Sequence, residues 1–417
     1  MAGDAPAELY APAFNFGTEP VPLIELADWF NGLAFKNIDF STDGLPVVKI
    51  AEIKNGISDS TKRTQADYDP RVRLADGDLL FCWSGQPETS IGTFIWSQGD
   101  AWLNQHIFRV VAKETVDPDF LHFLMLYLQP NFQAIAANKQ TTGLGHVTKR
   151  DLGDMLVQLP DNAEQLRIVE VLQPIQERIA LASNLIATLQ ETAKALFQSW
   201  FIDFDPVHAK AAGHDPGLPA DVADLFPDQF GDDGLPEGWT WQHLEEVLTL
   251  NYGKSLPATA RIPGSFPVYG SGGITGFHDE PLYRGPGIIV GRKGTVGKLY
   301  WEKGSFFAID TVFYVTPLTE LPLHFLWELL HSFNLGDMNT DAAVPGLNRT
   351  NVYRLEFGCP PSALVKTFTD FATHARLKID HLESLAEADR CLRDTILPRL
   401  ISGELRIADV ANAVAAA

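Results

Sequence analysis

The sequence predicts an α+β protein of two tandem globular domains, each followed by a long helix, the two helices pairing as an antiparallel coiled coil. Three observations predict this: long phrases recur at a nearly constant offset, strand-like and helix-like runs mix within each copy, and a heptad seam follows the first copy.

Residues 1–160 are read as the first globular domain. Its run "GDLLFCWSG" (77–85) has the apolar pattern of "PGIIVGRKG" (286–294), and "SIGTFIW" (90–96) matches "TVGKLYW" (295–301). These β-rich runs, bounded by Gly, Pro and Asp, read as strands and turns. "FLHFLMLYL" (120–128) answers "PLHFLWELL" (322–330), and both read as buried helices. "HVTKRDLGDMLVQLP" closes this copy as "GLNRTNVYRLEFGCP" closes the other.

Residues 161–202 form the central helical region. Apolar side chains recur in steps of four and three at Ile168, Leu172, Ile175, Ile179, Ala182, Ile186, Leu189, Ala193, Leu196 and Trp200. Pro174 interrupts the seam, so a break is expected there, with the long helix running from about Pro174 to Phe201. Residues 203–238, rich in Pro, Gly and Asp, read as an acidic linker, either a disordered spacer or an ordered strap. Residues 239–360 form the second globular domain and 361–405 the C-terminal helical region. There Ile379, Leu382, Leu385, Leu392 and Ile396 keep a less regular stripe, with Asp389 in a seam position. Globule, helix, linker, globule, helix is an order that lets the helices pair antiparallel.

Composition excludes several classes. The N-terminal MAGDAPAELYAPAF lacks the basic and apolar regions of a signal peptide, and no apolar run is long enough for a membrane helix. Cys82, Cys359 and Cys391 are too scattered for a disulfide framework or a thiolate zinc site, which fits a reducing cytoplasm. The histidines form no metal-binding spacing, so no metal site is expected. "GRKGTVGKL" is not a phosphate-binding loop: five residues separate Gly291 from Gly297, Leu299 stands where Ser or Thr would bind magnesium, and a strand follows. "YGSGGITGFHDE" is equally poor as a dinucleotide fingerprint, and Pro360-Pro361 lacks the flanking amide and aromatic of a methyl-transfer motif. Asp43, Glu52 and Lys54 would supply the acids and lysine of a magnesium nuclease. The alternation in "VVKIAEIK", however, reads as a half-buried strand.

The net charge of −21 argues against nucleic acid if averaged over the chain. It is not evenly spread. The linker concentrates acids, whereas 251–303 carries Lys254, Arg261, Arg284, Arg292, Lys293, Lys298 and Lys303 against Asp279, Glu280 and Glu302. A helix from Pro174 to Phe201 would span about 40 Å, close to one turn of B-DNA, so two like domains could meet two half-sites on one duplex face.

Several long phrases then converge on one family. "NLIATLQETAKALFQSWFIDFDPVHAKAAGHDPGLP", "LPEGWTWQHLEEVLTLNYGKSLP", "VYGSGGITGFHDEPLYRGPGIIVGRKGTVGKLYW" and "LRDTILPRLISGEL", in this order, resemble the specificity subunit of type I restriction-modification systems. The resemblance covers nearly the whole chain. It implies two target-recognition domains, each reading one half of a split double-stranded DNA site, and paired helices that set the spacing and dock two methyltransferase subunits. It implies no catalysis on this chain: S-adenosylmethionine belongs to the methyltransferase partner, ATP and magnesium to the restriction (nuclease) partner. Ile175, Ile179, Ile186, Leu189, Leu196, Trp200, Ile379, Leu382, Leu392 and Ile396 are the expected coiled-coil and partner positions.

Arg and Lys suit guanine edges and phosphates, and Asn and Gln suit adenine. The expected DNA contacts in the second copy are therefore Arg292, Lys293, Thr295 and Lys298, with Lys254, Asn348 and Arg349. In the first copy they are Trp83, Ser84, Gln86, Lys149 and Arg150, with Lys62, Arg63, Arg71 and Arg73 toward phosphates. A stand-alone nuclease and a structural coiled-coil adaptor are the alternatives.

Overall fold

The computed structural model describes residues 14–36, 39–139, 144–338 and 346–407. The expectation about the N-terminal leader lies largely outside this set. The chain divides into two units, one of residues 1–181 and 385–417, the other of residues 182–384.

In the first unit a four-stranded antiparallel sheet runs in the order Ala27–Asn31, Ile107–Ala112, Leu79–Cys82, Gly92–Ile95. The strand Leu79–Cys82 is buried along its whole length because it serves two cores. Leu79 and Phe81 face one with Phe120, Phe123 and Phe132, while Leu80 and Cys82 face another with Trp96 and Trp102. That is why its sequence is a continuous apolar run instead of an alternation. A second sheet contains a parallel pair, Leu45–Val48 with Ala101–Leu103. The helix Pro118–Tyr127 starts on a capping aspartate: the Asp117 side chain accepts from the N–H groups of Asp119 and Phe120.

The second unit repeats this plan. Its sheet runs Leu248–Tyr252, Val312–Pro317, Gly287–Gly291, Leu299–Glu302, the same strand order and the same antiparallel sense. Ile288 and Val290 face the core of Phe325, Leu326 and Phe368, and Ile289 faces Tyr269 and Phe306 on the other side. Here too a second sheet contains a parallel pair, Phe266–Gly270 with Phe307–Ala308. Residues 203–238 are ordered in this unit. Helices Asp205–Ala211 and Ala220–Ala223 lie within them, and Val207, Phe226 and Leu235 join the same core. The Lys210 ammonium donates to the carbonyls of Ala223, at 3.1 Å, and Phe226.

Two 40-residue helices, Asn162–Phe201 and Ser362–Ile401, each contribute one part to each unit. In the first unit Ile168 and Leu172 share a core with Leu397, Leu400 and Ile401. Arg393 donates to Gln176 at 2.9 Å, and Arg178 pairs with Asp389 at 2.8 Å. The acid in the seam is thereby explained: Asp389 is only 4% exposed, with one oxygen on Arg178. In the second unit Phe197, Trp200 and Phe201 pack with Leu364 and Phe368, Phe197 and Phe368 edge-on at 5.4 Å between ring centroids.

Three expectations need correcting. The first long helix does not break at Pro174 but runs through it. Proline costs a helix one hydrogen bond and a clash; here Pro174 and Glu170 are exposed, and Leu172, Ile175 and Ile179 hold the helix by burial on the opposite face. The stripe is also shifted near its ends. Phe197 is more deeply buried than Leu196, and Leu392 lies 47% exposed outside the stripe. Ile175, Ile179, Trp200, Ile379 and Leu382 are buried, and Ile186, Leu189 and Ile396 half-buried. Third, "VVKIAEIK" is not one strand. It ends as a strand at Val48, and Ile50–Asn55 is a helix whose Glu52 carboxylate accepts the Lys49 N–H at 2.9 Å. Among the described residues no helix is long and apolar enough to cross a membrane.

Candidate nucleic-acid interface

At the end of strand Gly287–Gly291 the chain makes a closed turn: Gly291 N–H donates to the Lys298 carbonyl and Gly297 N–H to the Gly291 carbonyl, both at 2.8 Å. Gly297 has a φ of +73°, and a Cβ there would lie 2.3 Å from the backbone of Leu335 and Gly336. The glycine that looked like part of a phosphate loop is thus demanded by conformation and by close approach. Arg292 leaves this turn, and its carbonyl accepts the Leu347 N–H at 2.8 Å. Directly after Leu347, the Asn348 side-chain oxygen caps helix Arg349–Tyr353, accepting from Thr350 at 2.9 Å and Asn351 at 3.4 Å.

This local chemistry brings two arginines far apart in sequence onto one ring. The Arg292 guanidinium lies 4.8 Å from the Tyr252 ring centroid and 5.7 Å from that of Phe313. The Arg349 guanidinium lies 4.9 Å from Tyr252 and 5.7 Å from Tyr353. Such contacts are worth about 0.5–2 kcal/mol each. Each arginine also donates through Nη1 to a backbone carbonyl, Arg292 to Asp310 at 2.9 Å and Arg349 to Leu250 at 3.5 Å. Tyr252 is 49% exposed, so the cluster is open to solvent. Lys293, Thr295, Lys298 and Lys254 are exposed, and the Lys298 ammonium lies 5.3 Å from the Tyr300 ring. The Asn348 side-chain oxygen is engaged by the helix cap.

The first unit builds the equivalent place from different side chains. Val147 N–H donates to the Trp83 carbonyl at 2.8 Å, as Leu347 does to Arg292. Thr148 caps helix Lys149–Asp154 as Asn348 caps its counterpart. Asn31, opposite Phe108, stands where Tyr252 stands opposite Phe313. Trp83 Nε1 donates to Asn31 Oδ1 at 2.9 Å, and its ring lies between 5.6 and 6.1 Å from those of His106, Phe108 and His146. Lys149 donates to the Trp29 carbonyl at 3.1 Å, with its ammonium 5.5 Å from the Phe108 ring. Ser84 is buried and hydrogen-bonded to His146 Nδ1 at 2.9 Å, so it is not an exposed contact.

The other expected cations are scattered and partly committed. Arg71 pairs with Asp69, whose carboxyl the Arg71 side chain holds down to about 2, and Arg73 pairs with Asp100 at 2.6 Å. Arg150 lies 3.6 Å from Asp154, and Arg63 donates to the Gly44 carbonyl at 3.1 Å. Lys62 and Gln86 are exposed, the Gln86 side chain accepting from Thr89. Tyr252, Phe313, Tyr353, Asn31, His106 and His146 were missed. One signal was present: Asn31-Gly32 and Tyr252-Gly253 end equivalent strands. A Cβ on Gly32 would lie 2.1 Å from the Asn104 carbonyl oxygen, and one on Gly253 2.0 Å from that of Ile309.

The nuclease candidates are engaged locally: Glu52 in its cap, and Lys54 3.5 Å from the Ser90 hydroxyl. Among the described residues there is no group of three or more His, Cys, Asp or Glu able to hold a metal. Burial pushes the Cys82 thiol up to about 12, so it stays protonated inside the core.

Residues 17–191 match the family model of the type I restriction modification DNA specificity domain. The chain is thus similar to type I specificity subunits. It is 29% identical over 171 residues to the type I restriction enzyme HindI specificity subunit of Haemophilus influenzae, a match spanning 40% of this chain and 37% of that relative. It is 21% identical over 346 residues to the MjaIX specificity subunit of Methanocaldococcus jannaschii, covering 77% and 76% of the two chains. The fold resembles that of a type I restriction-modification S subunit from M. genitalium, with a TM-score of 0.53, 17% identity, and 94% and 98% of the two chains covered.

Proposed function

We propose that this chain is the sequence-specific DNA-binding specificity subunit of a type I restriction-modification complex, each unit reading one half of a bipartite site. The observation that carries this reading is the pair of equivalent clusters, built at the same end of the sheet by the same backbone hydrogen bond but with different side chains. A shared frame with different polar groups is what reading two different half-sites requires. Arg292 and Arg349 offer guanidinium forks for base edges, and Lys293, Lys298, Lys254 and Lys62 offer exposed charges for phosphates.

The chain performs no chemistry itself. The stretches of the two long helices that meet inside each unit form an antiparallel coiled coil, which sets the half-site spacing and docks two methyltransferase subunits. These carry S-adenosylmethionine; restriction subunits carry ATP and magnesium. The assembly is cytoplasmic. Partner subunits supply much of the positive clamp that a chain of net charge −21 lacks.

The test is methylation mapping after co-expression with methyltransferase partners in a host free of background methylation. A two-part motif with an unspecified gap, dependent on this chain, is expected; a contiguous motif overturns the reading. Incubation of the chain alone with magnesium and duplex DNA tests the nuclease alternative. Sustained cleavage that Glu52→Ala abolishes would establish it.

A further inference from the structure

We infer that Tyr252 is a specificity-positioning residue, which holds Arg292 and Arg349 as a paired guanidinium reader of guanine in the half-site met by the second unit. The inference rests on the DNA-reading function proposed above and names the base and the residue that prepares the site.

Four observations lead there. Two guanidinium groups lie within 5 Å of the same ring centroid, an arrangement whose mutual repulsion favours an added electron-rich partner. Neither arginine has an ion pair among the described residues, whereas Arg71, Arg73, Arg109 and Arg376 all pair with acids. Each has one terminal nitrogen directed at a backbone carbonyl, closely for Arg292 at 2.9 Å and at 3.5 Å for Arg349, so ring and carbonyl orient the guanidinium and leave other N–H donors for a ligand. A fixed fork matches the adjacent O6 and N7 acceptors of guanine, and that pairing needs the plane to be held in advance. A fork can also grip a phosphate; the exposed Lys293 and Lys298 beside the turn supply phosphate charge that needs no fork, and sequence dependence separates the two roles.

The duplication supplies an internal comparison. At the position of Tyr252 the first unit has Asn31, and at that of Arg292 it has Trp83, whose indole donates to Asn31. At the position of Arg349 it has Lys149, a point charge already on the Trp29 carbonyl. That cluster has no guanidinium fork, so the guanine preference assigned here belongs to one half-site only.

The experiment selects bound sequences from a randomised duplex library, using the full chain assembled with its methyltransferase subunits. Compared are the unaltered chain, Tyr252→Phe, Tyr252→Leu, and Arg292→Lys with Arg349→Lys. Tyr252→Phe keeps a ring face for both cations and retains the guanine position. Tyr252→Leu, and the double lysine variant that keeps both charges without the fork, weaken guanine preference there by about tenfold or more while the other half-site is unchanged. Preference unchanged in Tyr252→Leu overturns the inference, as does an equal loss on all duplexes, which marks a phosphate or purely structural role. If Tyr252→Leu fails to assemble, the double lysine variant decides: retained guanine preference overturns the proposal. An unaltered complex that enriches no sequence sinks the DNA-reading function itself, an outcome distinct from an enriched motif that ignores these substitutions.

Discussion

Glu328 gives a prediction whose sign and size both follow from its surroundings. It lies on helix Leu323–Ser332, lining a cleft with Glu191, Lys194, Trp327, His331 and Arg376, and its counterpart in the first unit is Leu126. Burial raises its carboxyl from 4.5 to about 7, Lys194 opposing the rise and Glu191 adding to it. An acid whose folded pKa is raised stays protonated in the fold while the unfolded chain ionises. Stability is therefore fully present below pH 4.5 and is lost as pH rises toward 7. At about 1.4 kcal/mol per pH unit the ceiling is about 3 kcal/mol, and partial solvent access reduces the working figure to about 2. His324 and His331 act in the opposite sense. Burial lowers both, so each costs stability as pH falls below 6.5. The unaltered chain alone would show a partly cancelled profile.

Glu328→Gln isolates the carboxyl, because the histidines remain in both proteins. Urea unfolding at pH 5 and pH 7.5 should show the variant gaining about 2 kcal/mol relative to the unaltered chain across that interval. Parallel pH profiles for the two proteins would refute the assignment of a half-buried Glu328 with a raised pKa.

Phe368→Ala should cost about 3–5 kcal/mol, because its ring packs against Phe197, Phe201 and Phe325, whereas Leu377→Ala on the exposed face of the same helix should stay within about 0.5. Urea midpoints of the two variants check this, and equal costs would count against a core made from both long helices. Gly297→Ala should lose about 2 kcal/mol or more, since it adds a left-handed penalty to a backbone clash. Its DNA affinity in the assembled complex should fall with it, as the turn carrying Arg292 is displaced. Arg178→Ala should destabilise more than Lys366→Ala, since it strands the buried Asp389 carboxylate while Lys366 is paired with an exposed Asp370. A thermal-shift comparison at pH 7 is sufficient.

How much of this was legible depends on what each feature rests on. The repeat and the seam were readable because apolar spacing is written directly into sequence, and the strands at 79–82 and 287–291 because they are buried on both faces. The break expected at Pro174 is absent because the burial of Leu172, Ile175 and Ile179 on the opposite face, which offsets the proline penalty, is set by tertiary packing. Glu52 misled because a capping carboxylate and a strand's outward acid look alike in an alternating run. The order of 203–238 was not decidable from its charge, since Val207, Phe226 and Leu235 are spread among nine acids. Of the site, Arg292 and Arg349 follow from side-chain chemistry, and Trp83 and Lys149 from their alignment with the second copy. Their convergence on Tyr252 and Asn31 depends on strand register and on one backbone hydrogen bond between distant loops, which no local pattern encodes.

The central claim is that two units read two half-sites independently. Its most direct measurement exchanges residues 1–160 for those of a relative with a different target and maps methylation by the reconstituted complex. One half of the motif should change while the other half and the gap stay as they were. Changes in both halves, or in neither, would contradict the account.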